Sequence, residues 1–95
     1  MKIVWLREAS IALDAEYEYI FRQNPAAAKR VIDRIIASTQ RLKDFPESGR
    51  MGQIAGTREV IVSGLPYIVI YRIAKSSVEI LRVFHTARNW PELFH

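Results

Sequence analysis

The chain has 95 residues, 49% hydrophobic and 25% charged, with 14 basic against 10 acidic side chains and no cysteine. That length holds one domain with a modest core and excludes a second, and the missing cysteines exclude disulfides and thiolate metal sites. No apolar run approaches the roughly 18 residues of a membrane span, and the amino terminus lacks the layout of an export signal, so a cytoplasmic protein is expected. The net charge of +4 gathers in the second half, where six basic residues face three acidic ones from Arg50 onward; a basic surface attracts nucleic acid or an acidic protein, and charge alone does not separate them.

In chain order, Lys2 to Leu6 is an apolar run of strand size. From Glu8 to Gln23 the spacing becomes helical, with Leu13, Tyr17 and Ile20 as the core stripe and Tyr19 at its rim. Asn24-Pro25 then marks a boundary, because Asn caps a helix and Pro suits its first turn. A second helix is expected to run to about Asp44, with Ala28, Val31, Ile32, Ile35, Ile36, Thr39 and Leu42 on one face. The short joint implies an antiparallel helical hairpin. Glu47 to Gly56 holds three glycines without periodicity and reads as a loop.

Three β-rich runs follow, Thr57 to Val62, Tyr67 to Ile73 and Val78 to His85, separated by turn sequences at residues 63–66 and 74–77. The expected fold is α+β: an N-terminal strand and a helical hairpin packed on a C-terminal three-stranded antiparallel sheet. If Ile73 pairs with Val78, Arg72 faces Glu79 as a cross-strand ion pair. Simple alternation then places Ile61, Ile68, Ile70, Leu81 and Val83 under the hairpin. The second face collects Val60, Val62, Tyr67, Val69, Tyr71, Ile73, Ile80 and Phe84, with Arg58 and Arg82 among them. So apolar a second face, studded with guanidinium groups that stay charged, implies a cover from another chain, the competing cover being the C-terminal tail. Trp5 is expected in the core and Trp90 at a binding surface. No metal, nucleotide or other cofactor site is indicated, since His85 and His95 are the only imidazoles and the carboxylates are not clustered.

The blocks FPESGR (Phe45 to Arg50), TREVIV with Arg58-Glu59, LPYIVIYR (Leu65 to Arg72) and ILRVFHTARNWP (Ile80 to Pro91) resemble, in this order, the RelE/ParE superfamily of bacterial type II toxins. The resemblance spans nearly the whole chain. It implies a small cytoplasmic toxin silenced by a cognate antitoxin that wraps it, with Arg58, Val69, Tyr71, Arg82 and Phe84 as antitoxin contacts. Within the superfamily, RelE-like members resemble ribosome-dependent endoribonucleases, whose chemistry needs a base, an acid and fixed cations around one phosphate. Here Ile68 occupies the place where such members commonly carry an arginine, and Lys2, Lys29, Lys43 and Lys75 are scattered. The ending HTARNWPELF is similar to the ParE side, whose members poison DNA gyrase, block replication and pair with a ParD-like antitoxin. On that reading Arg50, Arg88 and Trp90 meet the target and no residue is catalytic. The alternative is a nuclease, with His85 as base or acid, Arg82 and Arg88 as phosphate clamps and Glu47 as second proton carrier. A third possibility is a non-toxic relative that only binds an antitoxin-like partner.

Overall fold

In the computed structural model the structure describes residues 1–87. Strand β1 (Lys2–Trp5) leads into helix α1 (Arg7–Gln23) and helix α2 (Pro25–Gln40), followed by a 3-10 turn over Arg41–Lys43. Strands β2 (Arg50–Met51), β3 (Arg58–Ile61), β4 (Tyr67–Ile73) and β5 (Ser77–His85) complete it. Among the described residues no helix is long and apolar enough to cross a membrane.

Asn24 makes the helical hairpin. Its amide donates to the Ile20 carbonyl and closes α1 (2.8 Å), while its Oδ1 accepts from the Ala27 amide and opens α2 (3.1 Å). Proline at the first position of α2 has no N–H to leave unsatisfied, so one extended residue turns the chain between two helices. The expected bounds hold, except that the last residues before Asp44 tighten into the 3-10 turn.

The sheet has five strands in the order β1-β5-β4-β3-β2. The meander is antiparallel, with Ile73 opposite Val78 and Arg72 opposite Glu79 as the turn predicts. Two strands enlarge it beyond the expected three. β1 joins the far edge parallel to β5, Ile3 opposite Val78 and Trp5 opposite Ile80, and β2 forms inside the expected loop, pairing Arg50 with Glu59. β4 lies at the centre, and Tyr67 to Tyr71 are all buried, which is why its sequence is almost continuously apolar.

The expected assignment of the two faces is reversed on β3, β4 and at Ile80, while Val83 lies under the hairpin and Arg82 and Phe84 lie on the other face as expected. The hairpin covers the side bearing Val62, Tyr67, Val69, Tyr71, Val78, Ile80 and Val83, which joins Ala9, Ile35 and Leu42 as the main core, with Trp5 and Leu13 packed against it. Ile68, Ile70 and Phe84 form a second, smaller cluster on the opposite side. The register slips between Ile70 and Tyr71: Tyr71 faces Ile80 but Ile70 faces Arg82, leaving Leu81 as the extra residue of a β-bulge. One extra residue exchanges the faces of everything after it, so Val83 turns inward while Arg82 and Phe84 turn outward. The side expected to await a foreign cover is therefore sealed by the chain's own helices. The inference of a partner from an unfinished sheet face falls with it.

Helix α1 also departs from its expected stripe. Tyr17 is exposed and stacks on Phe21 at 5.7 Å between ring centroids, while Glu16 is buried and accepts a 2.7 Å hydrogen bond from the Tyr67 hydroxyl. A buried carboxylate needs such a donor. Its donor lies 51 residues away in sequence.

Candidate functional site

On the side away from the hairpin, the junction of β1 and α1, the loop before β3 and the outer faces of β4 and β5 enclose a concavity of about 850 Å³. Its apolar floor comes from Ile70, Leu81 and Phe84, with Leu6 and Ile54 at the walls. Among the described residues three cations line it: Arg7 at the start of α1, Arg72 on β4 and Arg82 on β5. Arg82 is paired with Glu8 (2.7 Å) and Arg72 with Glu79 (2.6 Å). Both pairs are solvent-accessible and worth about 0.2–1 kcal/mol each, so an incoming carboxylate can exchange with the resident one at little cost. An apolar floor ringed by arginines suits an amphipathic acidic segment.

The loop before β2 is wired to the sheet through Tyr71. Its hydroxyl accepts from the Gly49 amide (2.9 Å) and donates to the Pro46 carbonyl (2.6 Å). Burial pushes the Tyr71 phenol above its ordinary pKa, the Gly49 hydrogen bond only partly opposing this. The Arg58 guanidinium donates to the carbonyls of Glu47 (3.1 Å) and Gly49 (2.9 Å). Glu59, 3% exposed, is held by the Arg50 guanidinium at 2.9 Å and by the Gln53 amide at 3.4 Å. Arginine and carboxylate here fasten a loop that has too few apolar residues to hold itself.

The sequence-derived site residues are therefore dispersed. Of the five expected antitoxin contacts, Val69 and Tyr71 are fully buried under the hairpin and cannot dock a partner. Arg58 is committed to the loop carbonyls, while Arg82 and Phe84 lie together on the second face, at the concavity, Arg82 exposed and Phe84 itself buried at 6% exposure. Of the expected target contacts, Arg50 is half-exposed but engaged with Glu59, and Arg88 and Trp90 lie outside the described residues, as does the tail of residues 93–95. Among the described residues, His85, Arg82 and Glu47 of the nuclease reading are not brought together. His85 pairs with Tyr67 on the hairpin side and meets its ring edge-on at 5.2 Å; its Nδ1 accepts from the Ala87 amide (3.2 Å). Arg82 points to the other side. Glu47 sits in the loop bound by Arg58. Among the described residues no three metal-ligating side chains stand together. Sequence reading overlooked Arg7, Glu8 and Leu6, whose place beside β5 follows from the parallel pairing of β1; Glu8 and Arg82, far apart in sequence, leave no periodic signal.

A family model described as the ParE toxin of the type II toxin-antitoxin system parDE matches residues 3–90. Y4kP, a toxin candidate of Sinorhizobium fredii, is 41% identical over 92 residues, covering 97% of this chain and 95% of that one. Toxin RelE2 of Caulobacter vibrioides is 36% identical over 87 residues, covering 92% and 97%. A chain from the chromosomal ParDE toxin-antitoxin system of P. aeruginosa superposes with a TM-score of 0.82 over 90% of this chain and 95% of that one; at 24% identity the likeness is one of fold. With its two helices on a mixed five-stranded sheet and a family match over nearly its full length, the chain belongs to the ParE toxin family of type II toxin-antitoxin systems.

Proposed function

We propose that the chain is a toxin that acts by binding, with DNA gyrase as its target, and that a ParD-like antitoxin silences it by seating an acidic amphipathic segment in the Arg72 and Arg82 concavity. The observation that carries the binding reading is the opposition of Arg82 and His85 across the sheet. Cleavage of RNA by its 2′-hydroxyl needs a proton acceptor and fixed cations within hydrogen-bond reach of one phosphate. A sheet separates the candidates here. The antitoxin reading is supported by family membership and by the pairing of apolar floor with exchangeable arginines.

The relative named RelE2 keeps a ribosome-dependent nuclease as the second reading. One pair of assays decides between them. The purified chain at micromolar concentration inhibits supercoiling by gyrase or traps cleaved DNA with it, while a translation extract continues to make protein from intact mRNA. Codon-specific mRNA cuts with unaffected gyrase would reverse the assignment. Normal growth of a bacterium expressing the chain alone would count against toxicity altogether. For the antitoxin site, Arg82→Glu lowers affinity for the cognate antitoxin by about tenfold, as reversal of a charge in an acidic interface does; undiminished binding would move the site elsewhere.

A further inference from the structure

A second surface lies at the opposite edge of the sheet. β2 covers β3 only at Arg58 and Glu59. Beyond it the ladder can be followed residue by residue. The Val62 amide donates to the Tyr67 carbonyl (3.0 Å), so in the alternation of an antiparallel pair Val60 and Val62 direct their N–H and C=O toward β4, and Ile61 directs both of its groups outward. Ile61 is 59% exposed. The strand is extended, carries its unpaired backbone groups into solvent and has no proline or bulge to protect it, which is the condition under which an edge accepts another strand.

The edge also has a flank. Between β3 and the last turns of α2 runs a groove of about 220 Å³, lined by Arg34, Ala37, Ser38, Arg41 and residues 60–63. Ala37 leaves it open. Arg34 donates to the Ser63 carbonyl and retains further N–H donors. Arg41 is exposed and makes no ion pair among the described residues.

From this we infer that the outer edge of β3 captures an extended peptide segment of acidic–apolar–acidic pattern by adding it as a further strand. The segment belongs to the antitoxin partner proposed above, and to that extent the inference rests on that reading. The middle residue exchanges both backbone hydrogen bonds with Ile61 and lays its apolar side chain beside that of Ile61. Its two neighbours then point to the other side, toward α2. Their side chains are spaced by about 7 Å, and Arg34 and Arg41, two helical turns apart, are spaced by about 10 Å along the axis. Long arginine side chains close that difference. Backbone pairing supplies the hold, and the two guanidinium groups select carboxylates over ammonium groups. A second copy of this chain fits poorly, because symmetric pairing of two β3 edges crowds four arginines at one seam in a protein of net charge +4.

The test uses the isotope-labelled chain and amide-correlation NMR, with the peptide acetyl-Gly-Thr-Glu-Val-Glu-Thr-Gly-amide as probe and its counterpart carrying Lys for each Glu as control. The acidic peptide at millimolar concentration shifts the amides of Ile61, Val62 and Ser63, and the lysine peptide does not. Arg41→Glu weakens binding about fivefold, the scale of one exposed charge contact. Ile61→Pro removes the outward N–H and the Ile61 side chain while leaving the bonds from Val60 and Val62 to β4, and it abolishes the shifts of Val62 and Ser63 in a spectrum that otherwise reports the native fold. Equal response to both peptides, shifts confined to Ile70, Arg82 and Phe84, or no shifts would each overturn the inference. Because the peptide reports on the edge alone, its failure leaves the concavity standing, and failure of the Arg82→Glu test leaves the edge standing.

Discussion

Gly49 and Tyr71 offer a direct test of how the loop before β2 is held. A Cβ added at Gly49 would lie 2.5 Å from the Tyr71 hydroxyl oxygen, 2.7 Å from Cε1 of its ring and 2.9 Å from the Glu59 carbonyl oxygen. The tyrosine is fully buried and the carbonyl belongs to the β2–β3 ladder, so neither yields easily. Gly49→Ala is therefore expected to cost about 2–3 kcal/mol, the upper range for overpacking a filled site. Tyr71→Phe removes the hydroxyl and leaves the buried Gly49 amide without its acceptor, at about 1–3 kcal/mol. The two substitutions act on the same oxygen. In the Tyr71→Phe background the shortest of the three clashes is gone, so the double variant should be more stable than the sum of the single losses implies, by at least ~0.5 kcal/mol. Urea denaturation followed by circular dichroism reads all four corners of the cycle, with an unchanged slope certifying comparable unfolding. In heating, each kcal/mol corresponds to about 4–8 °C in a domain of this size. Additive losses, or a Gly49→Ala variant indistinguishable from the parent, would show that the loop is not fastened through this contact.

Alkaline pH probes the same tyrosine: its folded pKa is raised by burial, so the stability linked to its proton is fully present below the ordinary value near 10 and declines as pH climbs from there toward the folded pKa. The parent should lose stability faster than Tyr71→Phe across that window in urea midpoints, and parallel curves would contradict the assignment. Asn24→Ala removes the cap of α2 and lowers stability by about 1 kcal/mol, whereas Asn24→Asp retains it, as thermal unfolding will register. Arg50→Ala leaves the buried Glu59 carboxylate with only a long amide contact and costs about 2 kcal/mol, while Arg72→Ala, at an exposed pair, costs under ~1 kcal/mol. If the two losses are equal in chemical denaturation, the burial of Glu59 does not matter energetically.

The features visible in the sequence are those whose determinants are close along the chain. Asn24-Pro25 fixes the end of α1 and the start of α2 within two residues, and the turn before Ser77 sets Ile73 against Val78 and hence Arg72 against Glu79. Other features depend on distant partners. β2 is two residues long and exists because Glu59, buried, draws in Arg50. β1 joins β5 across the whole length of the sequence. Sequence reasoning favours Tyr17 over Glu16 as a core residue because a carboxylate is ordinarily exposed; the Tyr67 hydroxyl that makes the burial of Glu16 tolerable is invisible to helical periodicity. The family, in contrast, is legible from four short blocks in order, which fall within the residues 3–90 that the family model matches.

The bulge at Leu81 connects the fold to the question of function. Every residue of β5 beyond it changes sides, which brings Arg82 and Phe84 to the face of Ile68, Ile70 and Arg72 and turns His85 toward Tyr67 beneath the hairpin. The same parallel pairing that adds β1 to β5 brings the start of α1 alongside, so that Glu8 meets Arg82 and Arg7 joins the rim. Cations and apolar floor are thereby collected on one surface while the imidazole is set apart from them. On the binding reading proposed above, a guanidinium already paired with an exposed carboxylate can exchange it for a partner's, and Arg82 itself cannot act with a histidine that lies on the other side of the sheet.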